Sequence, residues 1–333
     1  TVTRQARVAE RRFEDARQLI HTTIFDIQPR MEAIPATLPL RATLIEQSMT
    51  YLESVSKDAG NNVALLRELA NSYAELAAIQ GDALAANLGN REAAARQFEQ
   101  AAGLMDRALR LAPDDAGVLT DASALNRRRS DFALQNEDRE AAVRFAEQAL
   151  GLADRGLAHA PGDAAALEAR ALAWFSHGRS VLNVDQDGAL ARFDQARTHF
   201  TQAAAAGAPP RREAGLMELY TADVFIKRGD ATRGPAHARE SLRIARAVLA
   251  SRPDDQVARA DLATAAGQVA SALYNGGKQQ DAVEFFRMST DMREQMVAAD
   301  PGNVRARERL ALSKGRFGTI LARAGDYSAA RVA

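Results

Sequence analysis

The feature that most constrains this sequence is a turn that keeps returning. Pro113-Asp114-Asp115, Pro161-Gly162-Asp163, Pro253-Asp254-Asp255 and Pro301-Gly302-Asn303 punctuate the chain, and most spacings are 48 residues. Pro209-Pro210 fills the slot between the second and third. A second series runs inside the intervals: Ala94 and Phe98, Ala141 and Phe145, Ala189 and Phe193, Ala238 and Leu242, Ala282 and Phe286 all read small, three spacers, large. Two markers with one period mean a unit repeated along the chain, each copy stacking on its neighbours. Each unit reads as two helices, because proline cannot continue a helix while Asp, Asn or Gly beside it caps the next. In the fifth unit the first helix is expected near Asp255 to Asn275, Gly276-Gly277-Lys278 breaks it, and the second follows from near Gln279 to Ala299. The Ala of each pair lets the two helices approach, and the large residue one turn on fills the space toward the next unit.

A Gly-containing turn, then Ala-x-x-x-Phe, then a proline-ended second helix resembles the tetratricopeptide repeat. The local match is best at Gly325-Asp326-Tyr327-Ser328-Ala329-Ala330. That family repeats every 34 residues, so a period near 48 requires helices one to two turns longer. The resemblance implies an all-α, right-handed superhelical solenoid of tetratricopeptide-like helix pairs. The pairs are expected near 61–112, 114–160, 163–207, 210–252 and 254–300, with a truncated pair at 303–333. An insert, 83–90, separates the two helices of the first pair. A truncated last pair leaves an apolar face uncovered, so the native protein is expected to continue.

Composition agrees with an all-helical array. Ala supplies 72 residues, and 39 of the 43 basic residues are Arg, both good helix formers. Lys+Arg equals Asp+Glu at 43 each, which argues against a whole-chain electrostatic grip on nucleic acid or acidic membrane. The absence of Cys excludes disulfides, thiol catalysis and Cys-ligated metals. No stretch approaches the roughly 20 apolar residues of a membrane span. The start, with Arg4, Arg7, Arg11 and Arg12, lacks a signal-peptide pattern.

Residues 1–60 differ from the repeats. Residues 4–33 read as one amphipathic helix through Val8, Phe13, Leu19, Ile20, Ile24 and Ile27. Pro35 and Pro39 break the chain, and a second helix is expected from Leu40 to Lys57 with Leu44, Ile45, Ser48, Tyr51, Leu52 and Val55 on one face. Phe13-Glu14-Asp15-Ala16-Arg17, Ile24-Phe25-Asp26-Ile27, Ile34-Pro35, Arg41, Tyr51-Leu52-Glu53, Asp58-Ala59, Leu66-Arg67-Glu68-Leu69-Ala70, Tyr73, Ile79-Gln80-Gly81 and Asn87-Leu88-Gly89 follow in order. This series resembles the region after the transmembrane helix of bacterial receptor-type serine/threonine protein kinases that carry C-terminal tetratricopeptide-like repeats. It is densest over residues 11–98. The resemblance implies a cytoplasmic kinase domain upstream, one transmembrane helix, and this chain as the extracytoplasmic (periplasmic) segment of an inner-membrane protein. Residues 1–60 would then be a juxtamembrane-like helical segment, and 61–333 the solenoid. The positive-inside bias would put the Arg-rich start in the cytoplasm, which is the alternative.

No motif in the chain carries chemistry. It has no Gly-x-Gly-x-x-Gly loop, His-Arg-Asp, Asp-Phe-Gly, Walker loop or Gly-x-Ser-x-Gly elbow. His21, His159, His177, His199 and His237 never pair at i, i+4 as in a helical metal site, so they read as isolated histidines on helix surfaces and caps. Catalytic, cofactor and metal residues are therefore expected to be none. ATP and Mg would belong only to the suspected kinase domain. Arg127-Arg128-Arg129 point in three directions about 100° apart, so they read as solvated or salt-bridged, with an anion contact as the sharper alternative. Arg211-Arg212 reads as decoration of a helix start, and Lys278, Asp230 and Asp326 as turn chemistry. Trp174, the only Trp, falls mid-helix with His177 and Arg179 in the central pair, where it reads as core between repeats or as an aromatic anchor. Tyr73, Tyr220 and Tyr274 lie on other first helices and divide the same way.

The expected function is a non-catalytic interaction or sensory region of a membrane-anchored kinase. It would bind a protein, a peptide or another copy of itself, without nucleic acid and without membrane contact of its own. The alternatives are a soluble tetratricopeptide scaffold or adaptor, the same repeats attached to another bacterial signalling module, and a helical hydrolase. The near-absence of Lys leaves no carboxylate clamp of Lys, Asn and Arg to favour the adaptor.

Overall fold

The computed structural model describes Gly60–Gly81 and Asn90–Arg331, with scattered positions between 22 and 53 before them. The expected helix over 4–33, most of the one over 40–57, the insert at 83–89, His21 and most of the kinase-like series lie outside the described residues. Twelve helices and no strands occur among the described residues. They are α1 Val63–Gly81, α2 Arg91–Leu111, α3 Ala116–Gln135, α4 Arg139–His159, α5 Ala164–Val181, α6 Gln186–Ala205, α7 Arg212–Lys227, α8 Arg233–Ser251, α9 Gln256–Asn275, α10 Gln279–Ala299, α11 Val304–Arg323 and α12 Tyr327–Ala330.

Contacts divide the chain into two compact units, 1–161 and 162–333. In the first, α1 packs on α2 and α3 on α4, with α3 also resting on α1 and α2. Met49 and Leu52 pack against its core, and Gln97 Nε2 donates to Met49 Sδ at 3.3 Å. In the second unit, α5/α6, α7/α8 and α9/α10 are the pairs, α8 packs on α9 and α10 on α11, and α12 closes on α11.

First helices start by one device. Asn62, Asp115, Asp163, Asp255 and Asn303 each accept a hydrogen bond from the backbone N–H three residues on, which satisfies a donor the helix cannot pair internally. Arg211 stands in the corresponding place before α7 and supplies no such cap. First helices mostly end by one device too. After α3, α7, α9 and α11 the backbone makes the paired bonds of a Schellman turn: 138→133 with 137→134, 230→225 with 229→226, 278→273 with 277→274, and 326→321 with 325→322. The left-handed residue is Gly229, Gly277 or Gly325 in three of these, and Glu137 with φ 63° in the fourth.

The second helices share a register that the sequence markers did not give. It counts from an opening residue: the N-caps Asn90, Asp138, Asp185 and Lys278, and for α8 Asp230, which lies two residues before the N-cap Thr232 and accepts from the Thr232 and Arg233 N–H groups. Four residues on stand Ala94, Ala142, Ala189, Gly234 and Ala282; eight on stand Phe98, Ala146, Phe193, Ala238 and Phe286. All ten are buried. The expected pairings Ala141/Phe145 and Ala238/Leu242 are therefore corrected, by one residue and by four. Phe145 is half-buried, covered by the guanidiniums of Arg129 at 4.0 Å and Arg144 at 5.2 Å from its ring centre, and Ala146 takes the inner place. Close approach is literal at two sites. A Cβ on Gly81 would sit 2.6 Å from Ala94 Cβ, and one on Gly178 would sit 2.5 Å from the Phe193 ring. Eleven residues on, Ser241 and Ser289 donate to Gly215 O at 2.8 Å and Ala263 O at 2.7 Å, tying each second helix to its first.

Candidate functional site

Arginine links successive first helices. In the first unit Arg67 of α1 donates to Asp121 of α3 at 2.8 Å, and Arg128 of α3 returns to Glu75 of α1. Arg129 donates to Glu99 of α2 at 2.9 Å while lying over Phe145. The guanidiniums of Arg128 and Arg129 are thus spent on different helices, and Arg127 is half-buried beside them. In the second unit Arg211 forks onto Glu168 of α5, and Arg212 forks onto Asp261 of α9. The pair expected to decorate a helix start instead clamps α7 to the first helix on either side. Bidentate Arg–carboxylate pairs fix geometry as well as contributing energy. Burial raises the Asp261 carboxyl above its ordinary pKa in spite of Arg212. Across α9 and α11 the link is aromatic: Arg323 donates to the Tyr274 hydroxyl and lies 5.5 Å from its ring centre.

The central residues split into two groups. Phe175 and Arg179 of α5 meet Tyr220 of α7. The Phe175 and Tyr220 rings stack with centres 6.2 Å apart, and the Arg179 guanidinium lies 5.6 Å and 6.0 Å from them. Phe193 completes this cluster 6.4 Å from Tyr220. Arg179 and Tyr220 keep part of their surface exposed, while Phe175 and Phe193 are buried. Trp174 turns elsewhere. It stands five positions before Arg179, which places it about 140° around the helix. It stacks on His177 with ring centres 6.2 Å apart, and its buried indole N–H has no hydrogen-bond partner among the described residues. Tyr73, at 2% exposed, is core of the first unit, and Tyr274 serves Arg323.

The histidines correct the surface-and-cap expectation. His177 and His199 are buried, and among the described histidines only His159, 3.5 Å from an Asp114 oxygen, stands near a helix end as expected. His237 Nδ1 lies 2.6 Å from Glu218 Oε2, and its ring stacks on Phe225 at 5.6 Å. Glu218, 2% exposed, also accepts from Arg197 Nε at 2.6 Å. Burial acts to raise the Glu218 pKa, but the bonds from His237 and Arg197 outweigh it and hold the carboxyl below its ordinary value. Sequence reading missed this α6–α7–α8 junction, because nothing in the spacing of Arg197, Glu218 and His237 marks it. Turn chemistry is confirmed at Asp230, where hydrogen bonds from Arg233 and the Thr232 N–H hold the carboxyl down to about 2. Among the described residues no group of three His, Asp or Glu could hold a metal ion, and no helix is long and apolar enough to cross a membrane.

Comparison with known proteins adds little to this. No protein-family model matches the chain, and no curated protein sequence matches it. Among solved structures, the chain is similar to TTC0263, a thermophilic TPR protein of Thermus thermophilus. Identity is 16% over 68% of this chain and 95% of that one, with a TM-score of 0.34. It is also similar to the human IFIT1 dimer with PPP-AAAA, at 13% identity and a TM-score of 0.34, covering 86% of this chain and 66% of the IFIT1 chain.

Proposed function

We propose that this chain is a non-catalytic interaction scaffold that binds a peptide or protein segment along its first helices. The observation that carries this reading is the cluster of Phe175, Arg179 and Tyr220 across α5 and α7. A half-exposed guanidinium on stacked aromatic rings offers apolar area and directed donors together, the combination that dominates protein-interaction hot spots. Arg211 and Arg212 fix α7 against its neighbours, so the surface is preorganised and little ordering cost falls on binding. The residue types also fit a ligand with a carboxylate or a backbone carbonyl facing Arg179 and an apolar side chain against Tyr220.

The test is a peptide-display selection on the wild-type chain, repeated on Arg179→Ala/Tyr220→Ala. The reading expects peptides enriched on the wild type to bind the variant at least about tenfold more weakly, the loss of one charge-assisted contact. Peptides that bind both equally would refute it.

The likeness of residues 11–98 to kinase juxtamembrane regions supports a finer reading. In it, the chain is the extracytoplasmic part of a membrane-anchored bacterial serine/threonine kinase, and partner binding or self-association brings kinase domains together. Membrane fractionation of the native protein, with an antibody to this chain, tests it. A membrane-bound species heavier by a kinase domain is expected. A soluble species near 35.9 kDa would replace that reading with a free-standing adaptor.

A further inference from the structure

Fifteen residues beyond each opening residue, the second helices carry Met105, Ala153, Phe200, Ala245 and Arg293. Four of these are apolar, and three of the four are buried. The fifth is an arginine at the same depth, 9% exposed. Its neighbours sharpen the anomaly. Arg309 and Arg316 of α11 lie one turn to either side of Ser313, whose hydroxyl bonds to Thr290 of α10 across the α10–α11 contact at 2.9 Å. Arg293 is one turn beyond Thr290 on the same face of α10. After desolvation by burial, the positive charges of Arg309 and Arg316 depress its pKa further, and among the described residues no carboxylate opposes them. Its hydrogen bond is to a neutral group: Arg293 Nη2 donates to Thr264 Oγ1 of α9 at 3.1 Å. Arg67, Arg128, Arg129, Arg197, Arg211 and Arg212, all less buried, each face a carboxylate.

A buried cation without a counter-ion is costly, and two further cations beside it raise the cost. Such a group calls for a missing anion. We propose that Arg293, Arg309 and Arg316, where α9, α10 and α11 meet, form a binding site for a phosphate-type oxyanion. Guanidiniums present planar, directed donors, and the charge of three of them is matched better by a tetrahedral dianion than by a single carboxylate. Arg309 and Arg316 are exposed and Arg293 is buried, so an anion arriving from solvent would meet Arg309 and Arg316 first. The peptide-binding cluster on α5 and α7 plays no part in this site.

The test is titration of the intact chain with inorganic phosphate by calorimetry and by thermal unfolding, with ionic strength held constant by chloride. A saturable rise in Tm with phosphate and with sulfate, absent with chloride, is expected. Arg309→Ala/Arg316→Ala, which alters only exposed side chains, should weaken phosphate binding at least about tenfold, the loss of a charge-assisted contact. Arg293→Met restores the apolar repeat position, so it should fold without phosphate and lose the response. O-phospho-L-serine in a parallel titration identifies the source: tighter binding than phosphate points to a phosphoryl group carried by another molecule, and weaker binding to the free anion. No saturable response, or a response unchanged in both variants, would overturn the assignment.

Discussion

Glu137 provides the sharpest stability test, because the repeat supplies its own control. Four first helices end in the same pair of backbone hydrogen bonds, and three use Gly at the left-handed residue, with φ between 73° and 89°. Glu137 holds φ 63° with a Cβ that crowds the following carbonyl. For an L-residue that conformation costs about 1–2 kcal/mol. Glycine removes this strain but gives back about 0.5–1 kcal/mol through its freer unfolded chain. The Glu137 side chain is exposed, so little else changes. Glu137→Gly should therefore stabilise the first unit by about 0.5–1 kcal/mol, a Tm rise of about 1–4 °C for a unit of this size. Urea denaturation followed by helical circular dichroism should show a higher midpoint with an unchanged slope. Gly277→Ala, the reverse exchange at the matching turn, should lower stability. A Glu137→Gly variant that is unchanged or less stable would refute the argument that backbone strain at this turn is real.

Three further outcomes follow from the packing. Gly178→Ala drives a Cβ into the fully buried Phe193 ring and should destabilise the second unit by about 1–3 kcal/mol, measured by denaturation; a neutral result would mean that α5 and α6 are not held this close. Ser289→Ala deletes the bond to Ala263 O and should cost about 0.5–1.5 kcal/mol in the same assay. Glu218→Gln removes the charge-assisted bond to Arg197 and should cost about 1.5–3 kcal/mol near pH 7. Because the folded Glu218 pKa lies below its ordinary value, its contribution is complete above pH about 4.5 and is lost as pH falls through the lowered value. The gap between wild type and Glu218→Gln should therefore close on acidification, and a gap that widens would contradict the assigned direction.

The period, the helix pairs and most turns were legible in the sequence because they rest on Pro, Gly and capping Asp or Asn, residues with strong local conformational preferences. The register of the second helices was not. It is set by which small residue allows contact, and with 72 Ala in the chain a buried Ala looks like any other. Aromatic residues drew the reading to Phe145, whereas the inner place belongs to Ala146. The candidate site was half legible. Arg179 and Tyr220 meet, but Trp174 lies on another face of α5, and Tyr73 and Tyr274 are committed to core and to Arg323. The junction of Arg197, Glu218 and His237 and the site at Arg293 join residues from two or three helices. Long-range meetings of that kind leave no local pattern, and Arg293 becomes anomalous only once the register is known.

Hydrogen exchange of the chain with and without a display-selected peptide addresses the central claim most directly. Binding along the first helices predicts new protection centred on α5 and α7 around Phe175, Arg179 and Tyr220, and none on the outward turns of α6 and α8. Protection confined to α6 and α8, with α5 and α7 unchanged, would contradict the account.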